Sequence, residues 1–225
     1  MNSRIYLLLA SCAVNLCAGI AGTKHDLSVS GTGTAKTTNV SQICVFCHTP
    51  HNAAKGAAKV IPLWNKATTP STGFTMKNQT TNPEANLEGV VDATPNSPSM
   101  VCLTCHDGTQ AIGNVLNLPS GVEAISYAAA NSAIDVGGRL IGPSGLIGKD
   151  LTNEHPISIT YPSTNSRLVA KSAVLGLTNS VKLFGPVGSE KVECSSCHDA
   201  HDNTNPPFLR VSMTNNALCA TCHIP

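Results

Sequence analysis

Eight of the ten cysteines fall into four copies of one motif, in which two cysteines enclose two residues and a histidine follows directly. In such a C-x-x-C-H motif the two thiols can add to the vinyl groups of one haem, and the adjacent histidine then lies beneath the ring to bind its iron. The predicted thioether cysteines are Cys44, Cys47, Cys102, Cys105, Cys194, Cys197, Cys219 and Cys222, and the predicted proximal iron ligands are His48, His106, His198 and His223. The pattern therefore predicts four covalently bound haems c.

Two other kinds of site use paired cysteines. A zinc site takes Cys-x-x-Cys pairs as half of its ligand set, and a secreted chain can join its cysteines in disulfides. Neither site requires a histidine directly after each pair, and all four pairs of this chain have one. The motifs therefore favour haem over both alternatives.

The histidines match the motifs in number. The chain has eight, and the four outside the motifs are His25, His51, His155 and His201. One further histidine per haem predicts a distal ligand for every iron, so that all four are six-coordinate. Such an iron has no open position for a substrate, which favours an electron carrier over an enzyme. Met76, Met100 and Met213 are alternative axial ligands, although methionine more often serves as apolar filler.

His51 and His201 each follow a motif histidine by three residues. A histidine at this spacing starts on the proximal side of its own haem, so we expect it to bind the iron of a neighbouring haem. The spacing therefore predicts close haem pairs. We expect His201 to serve the haem of the fourth motif and His51 to serve that of the second.

The composition indicates an unusual core. Only 4% of the 225 residues are aromatic, so the usual bulky core-forming side chains are scarce. About 50 residues per haem are too few to enclose each haem in a conventional domain. We expect a single tetrahaem domain over residues 22–225, packed around its haems. It should be mostly irregular coil, with short helices at the haem motifs and a few short strands where residues alternate at 157–161 and 180–184.

The first residues predict a secretory signal peptide over residues 1–21. Arg4 precedes an apolar stretch, and Gly19 and Ala21 are small residues suited to a cleavage site. A retained membrane anchor is an alternative, but the stretch is short and interrupted. A lipoprotein signal at Cys12 is another, but that cysteine lies unusually close to the start. The formal net charge of +1 gives no basic field for nucleic acid.

Six segments of the chain resemble the bacterial multihaem cytochromes with doubled C-x-x-C-H motifs. They are residues 23–28, 43–52, 62–65, 151–157, 194–202 and 208–210. Within that group, nearly the whole chain after the signal peptide is similar to the secreted tetrahaem cytochromes of the OmcE type. Size, motif number and the setting of the spare histidines carry this likeness. Those cytochromes polymerise into extracellular nanowires.

The resemblance implies a head-to-tail homopolymer, located outside the cell or at its surface, for long-range electron transport. Its further partners would be redox partner cytochromes and external acceptors such as metal oxides. It also implies that one axial histidine comes from the next subunit. His25 is the candidate for this ligand because it lies near the mature N-terminus. The alternative is that His25 binds a haem of its own subunit. A monomeric shuttle in the periplasm or at the cell surface is the alternative, and a multihaem reductase is a third.

Overall fold

The computed structural model describes residues 19–55, 61–67, 72–143, 145–178 and 180–224. Most of these residues lie in turns, bends and irregular coil. The predicted irregular fold, with short helices and few strands, is therefore confirmed. Residues 1–18, which make up most of the predicted signal peptide, lie outside the described residues.

The helices of the described residues are short. The α-helices are α1 (Ser97–His106), α2 (Lys171–Leu175), α3 (Cys194–Cys197) and α4 (Ala217–Ala220), and the 3-10 helices are Cys44–Phe46, Pro83–Ala85 and Thr214–Asn216. Every haem motif begins on or within one of these helices, as the motif chemistry predicts. Only α2 and two of the 3-10 helices lie away from a motif. No helix in the described ranges combines the length and apolarity needed to span a membrane.

Two short strands form the sheet. Strand β1 (Ile159–Thr160) pairs antiparallel with β2 (Lys191–Val192), and Ile159 lies opposite Val192. The prediction of a strand over 157–161 is confirmed for its centre. The prediction for 180–184 is wrong, because Phe184 makes only an isolated bridge with β2. Val181 instead packs into an apolar cluster, which takes this segment away from the sheet.

Buried apolar side chains form three small clusters in the described part of the chain. The clusters are Met76, Met100, Leu103 and Leu151; Tyr161, Leu168, Val174 and Val181; and Trp64 with Val101. Met76 and Met100 are 3% and 4% exposed, so both act as the apolar filler expected of methionine. The small size of each cluster agrees with a fold whose main apolar mass is the haem.

A buried carboxylate joins the second motif to the third. Glu193, only 2% exposed, accepts hydrogen bonds from Ser99 Oγ at 2.5 Å and Ser158 Oγ at 3.0 Å. Asn96 Nδ2 donates to its other oxygen at 3.2 Å. The backbone N–H of Glu193 donates to Ser196 Oγ and so caps α3. Because Ser99 and Asn96 belong to the start of α1, this network fixes α3 against α1.

Replacement of Glu193 by alanine should destabilise the haem-loaded protein. The change leaves the buried hydroxyls of Ser99 and Ser158 without their acceptor, whereas Asn96 Nδ2 keeps its hydrogen bond to Asp92. A hydrogen bond to a charged group contributes about 1.5–3 kcal/mol. We therefore expect Glu193→Ala to lower the free energy of unfolding by about 3 kcal/mol, measured by guanidinium unfolding. Glu123→Ala, at an exposed position, is the control and should leave it nearly unchanged. Equal stability of the two variants would show that the Glu193 network does not hold the helices together.

Candidate haem sites

Each haem motif is closed by a helical turn. In three motifs the backbone N–H of the histidine donates to the carbonyl of the first cysteine; the distances are 2.8 Å from His48 to Cys44, 3.1 Å from His198 to Cys194 and 2.8 Å from His223 to Cys219. The second motif lies inside α1. Side chains three positions apart on a helical turn are neighbours, so each turn presents both thiols of its motif on one side.

The cysteines form neither of the alternative sites considered above. None of the eight motif cysteines is joined in a disulfide bond. Among the described residues, no group of three or more histidine, cysteine or acidic side chains converges to hold a metal ion such as zinc. The thiols are therefore available for thioether bonds.

Three motif histidines face a histidine from outside the motifs. The ring centroids are 6.1 Å apart for His106 and His25, 6.1 Å for His48 and His201, and 6.3 Å for His223 and His155. Each pair joins segments that are far apart in the chain. Three of the four predicted distal histidines are thus placed opposite a predicted proximal histidine.

The spacing of these pairs fits a haem iron. With metal–nitrogen bonds of about 2 Å and ring centres about 1.2 Å behind the ligating nitrogens, imidazoles on opposite faces of one haem stand roughly 6.4 Å apart. The observed separations of 6.1–6.3 Å agree with this value. A gap of this size can hold one metal ion between the two rings. The donor set and its geometry therefore fit bis-histidine haem.

The observed partners differ from those predicted from spacing. His201 faces His48 of the first motif, whereas we expected it to serve the fourth. His25 faces His106 of its own chain, whereas it was our candidate for a ligand to the neighbouring subunit. The second motif therefore faces His25, whereas we expected His51 to serve it. His25 is held there by a stack on Phe208, with centroids 4.3 Å apart, and by a hydrogen bond with the carbonyl of Ala200. These contacts fix the N-terminal segment within the chain.

His198 and His51 are left without a facing histidine in the described residues. Both side chains are exposed. The ring of His198 is nevertheless oriented like a ligand, because its Nδ1 donates to the carbonyl of Pro207 at 3.0 Å. His51 lies in the loop after the first motif, where its carbonyl accepts a hydrogen bond from Thr49. One proximal and one distal histidine therefore remain to be matched.

Backbone carbonyls set the tautomer of four candidate ligands. Nδ1 lies 2.8 Å from Pro62 O in His48, 2.5 Å from Gly145 O in His106, 3.0 Å from Pro207 O in His198 and 3.0 Å from Pro156 O in His155. A carbonyl only accepts, so Nδ1 carries the hydrogen and Nε2 keeps its lone pair for a metal. Sequence reasoning missed these carbonyls, because the motif histidines find them 14, 39 and 9 residues away.

Burial favours the neutral, metal-binding form of three histidines. Burial, assisted by the nearby His106, lowers the pKa of His25 to about 4. Burial also lowers the pKa of His106 and of His155. Since only neutral imidazole can donate a lone pair to iron, these residues are ready to ligate at neutral pH.

The four attachment sites follow one another in space in the order of the chain. Burial raises the pKa of Cys47 to about 12, and the nearby Cys105 of the second motif raises it as well. A hydrogen bond between Cys102 and Cys194 raises the pKa of the former and lowers that of the latter, which places the third motif beside the second. Cys197 likewise interacts with the two cysteines of the fourth motif. Successive motifs are therefore neighbours, and we call this succession the row of attachment sites.

Comparison with known protein families adds one match. Residues 185–225 match the family model described as the doubled CXXCH motif, and this range contains the third and fourth motifs. The match indicates a multihaem c-type cytochrome. A search of curated proteins finds no match. The cofactor indicated for this cytochrome is covalently bound haem c, and the indicated function is electron transfer.

The residues divide the work of such a site between them. Bound haem supplies an iron that gains and loses one electron. The cysteines of each motif would anchor the group through thioether bonds, and the paired histidines would hold its iron. The carbonyls of Pro62, Gly145 and Pro207 orient the motif histidines, while burial keeps His25 and His106 neutral. Together they make a rigid site, which suits electron transfer because little has to move.

Replacement of His201 should open the iron of the first motif. In His201→Ala the ligand opposite His48 is lost, so we expect one haem in four to change from low-spin to high-spin. Optical and EPR spectra of the oxidised protein measure this change. Met213→Ala, which removes an exposed alternative ligand, should leave all haems low-spin. High-spin haem at the fourth motif instead would restore the pairing predicted from spacing.

The angles between paired rings predict two classes of EPR signal. The ring planes of His48 and His201 are 20° apart, whereas those of the His25–His106 and His155–His223 pairs are 69° and 74° apart. Nearly parallel axial rings split the iron orbitals more strongly than nearly perpendicular ones. We therefore expect a rhombic low-spin signal from the first haem and strongly anisotropic low-spin signals from the second and fourth.

The His201→Ala variant provides the assignment. It should lose the rhombic signal and keep the strongly anisotropic ones. A single signal type from all four haems of the unmodified protein would contradict the ring geometry.

Proposed function

We propose that this cytochrome is the repeating subunit of an extracellular filament that carries electrons over long distances through four bis-histidine haems c. The observation that supports the proposal is the pair of unmatched histidines, His198 and His51. Three motif histidines lie 6.1–6.3 Å from a histidine of the same chain, whereas His198 of the third motif faces no histidine among the described residues. The likeness to the OmcE type points in the same direction.

His51 is the residue best suited to cross between subunits. It is exposed and lies three residues after the first motif, whereas the exposed His198 belongs to the third motif. The histidine that would be supplied, His51, and the haem that would receive it therefore lie at different places along the row of attachment sites. If His51 of each subunit binds the third haem of the next, every contact uses two different surfaces. Such head-to-tail contacts build an open filament unless they close into a ring.

The row of attachment sites gives the filament a conducting path. Because the motifs follow one another in space, an electron can pass from the first haem to the fourth within a subunit. An inter-subunit ligand would bring the row of one subunit close to that of the next. Redox partner cytochromes would then load electrons, and external acceptors such as metal oxides would remove them. Export through the predicted signal peptide over residues 1–21 supports an extracellular location.

Two other functions would use the same four haems. A monomeric shuttle in the periplasm or at the cell surface would place His51 on the third haem of its own chain. A reductase would leave the iron of His198 five-coordinate and open to a substrate. The observation that favours a reductase is the exposed side chain of His198, because a substrate could reach an iron bound there.

A His51→Ala variant distinguishes these functions. For the filament we expect the unmodified protein to form filaments in negative-stain electron microscopy and to contain only low-spin haem. The variant should form no filaments and should show one high-spin haem in four, since the third iron loses its ligand. Asn52→Ala, at the adjacent exposed position, is the matched control and should form filaments.

Each alternative gives its own result. Unmodified protein that is monomeric and wholly low-spin, together with one high-spin haem in His51→Ala, would indicate the shuttle. Monomeric unmodified protein that already contains high-spin haem would indicate the reductase. Dimers of the unmodified protein would show that the two subunits exchange His51 in a closed contact.

A further inference from the structure

Lys66 is a buried cation with an unusual set of partners. Lys66 is only 1% exposed to solvent. Nζ donates to the backbone carbonyls of Ile112 at 2.7 Å, Asn114 at 3.2 Å and Ala111 at 3.4 Å. Three carbonyl acceptors require three N–H donors, which only the charged ammonium form of lysine has. The three carbonyls thus stabilise a positive charge, although burial alone lowers the pKa of Lys66.

This charge lies between the first and second haem motifs. The Lys66 ammonium lowers the pKa of both Cys47 and Cys105, against the opposing effect of burial. The preceding residue, Asn65, donates its backbone N–H to the carbonyl of Cys47 at 2.8 Å. Lys66 is therefore fixed by the backbone beside the sites where two haems attach.

Within the described part of the chain no carboxylate forms an ion pair with Lys66, unlike two other cations of the structure. Lys171 pairs with Glu190 at 3.0 Å and Arg210 pairs with Asp199 at 2.8 Å. The hydrogen-bond partners of the Lys66 ammonium among the described residues are the three carbonyls alone. Asp107 is also buried near Cys105, but its effect on that thiol is smaller than that of Lys66.

We propose that the buried positive charge of Lys66 raises the reduction potentials of the haems at the first and second motifs. Reduction of a haem adds one electron and makes the haem site more negative by one unit of charge. A nearby fixed cation stabilises that reduced state, and its effect is strong where the surroundings exclude water. Net charge and burial are among the means by which a protein tunes haem potentials.

The consequence is an uneven distribution of electrons within the subunit. The Lys66 charge favours electrons on the half of the row that holds the first two motifs. The inference rests on haem attachment at those motifs and does not require a filament. Intact-mass measurement of the unmodified protein tests attachment separately, so that missing haem and an ineffective Lys66 are told apart.

The experiment compares three substitutions at one position. Lys66→Met and Lys66→Gln remove the charge, and glutamine can still donate to the carbonyls. Lys66→Arg keeps the charge, and Lys182→Met removes a charge from an exposed position as the control. Each protein is titrated with dithionite, which supplies the electrons, and the haem absorbance is followed against the solution potential.

In both neutral variants we expect the half of the absorbance that belongs to the first two haems to move to lower potential. Lys66→Arg and Lys182→Met should titrate like the unmodified protein. Neutral variants that keep four low-spin haems and titrate without any shift would overturn the proposal.

If neither neutral variant attaches its haems, the proposal is tested on the unmodified protein by the order in which its haems are reduced. During reductive titration its rhombic EPR signal, assigned above to the haem of His48 and His201, should disappear in the first half. Its disappearance in the second half would overturn the proposal.

Discussion

Paired histidines from distant parts of the chain are the contacts on which the rest of the structure depends. His25 brings the N-terminal segment to α1, and His201 brings the loop after the third motif back to His48. The chain has few aromatic residues and only small apolar clusters to do this work. An iron between the two histidines of each pair would join them through two metal–nitrogen bonds. We therefore expect folding and haem attachment to be coupled, as in small proteins organised by a metal.

Polar groups at the junctions between motifs complement the ligands. The buried Lys66 ammonium lies between the first and second motifs, and the buried Glu193 carboxylate joins the second to the third. Neither group is a ligand, and each is held by several hydrogen bonds that oppose the cost of its burial. Carbonyls such as Pro62 O orient the ligands themselves. In this way irregular backbone, which has free carbonyls to offer, becomes an advantage for a haem protein.

The sequence predicted the chemistry of the sites better than their arrangement. The four motifs and the number of spare histidines indicated haem c and two ligands per iron, since both depend on residue type and local spacing. The partners of His25 and His201 depend on where the chain returns in space, which neither spacing nor periodicity encodes. The positions of Lys66 and Glu193 were also not evident, because their side chains bond to residues 35 or more positions away in sequence. The strand predicted at 180–184 failed because Val181 joins an apolar cluster instead.

All four motifs should carry covalently bound haem. Intact-mass spectrometry of the purified protein, followed by digestion, tests it most directly. We expect the mass of four haems above that of the polypeptide, one haem on each motif peptide, and no motif thiol open to alkylation. A protein with alkylated motif cysteines, with disulfides or with zinc in place of haem would contradict the account.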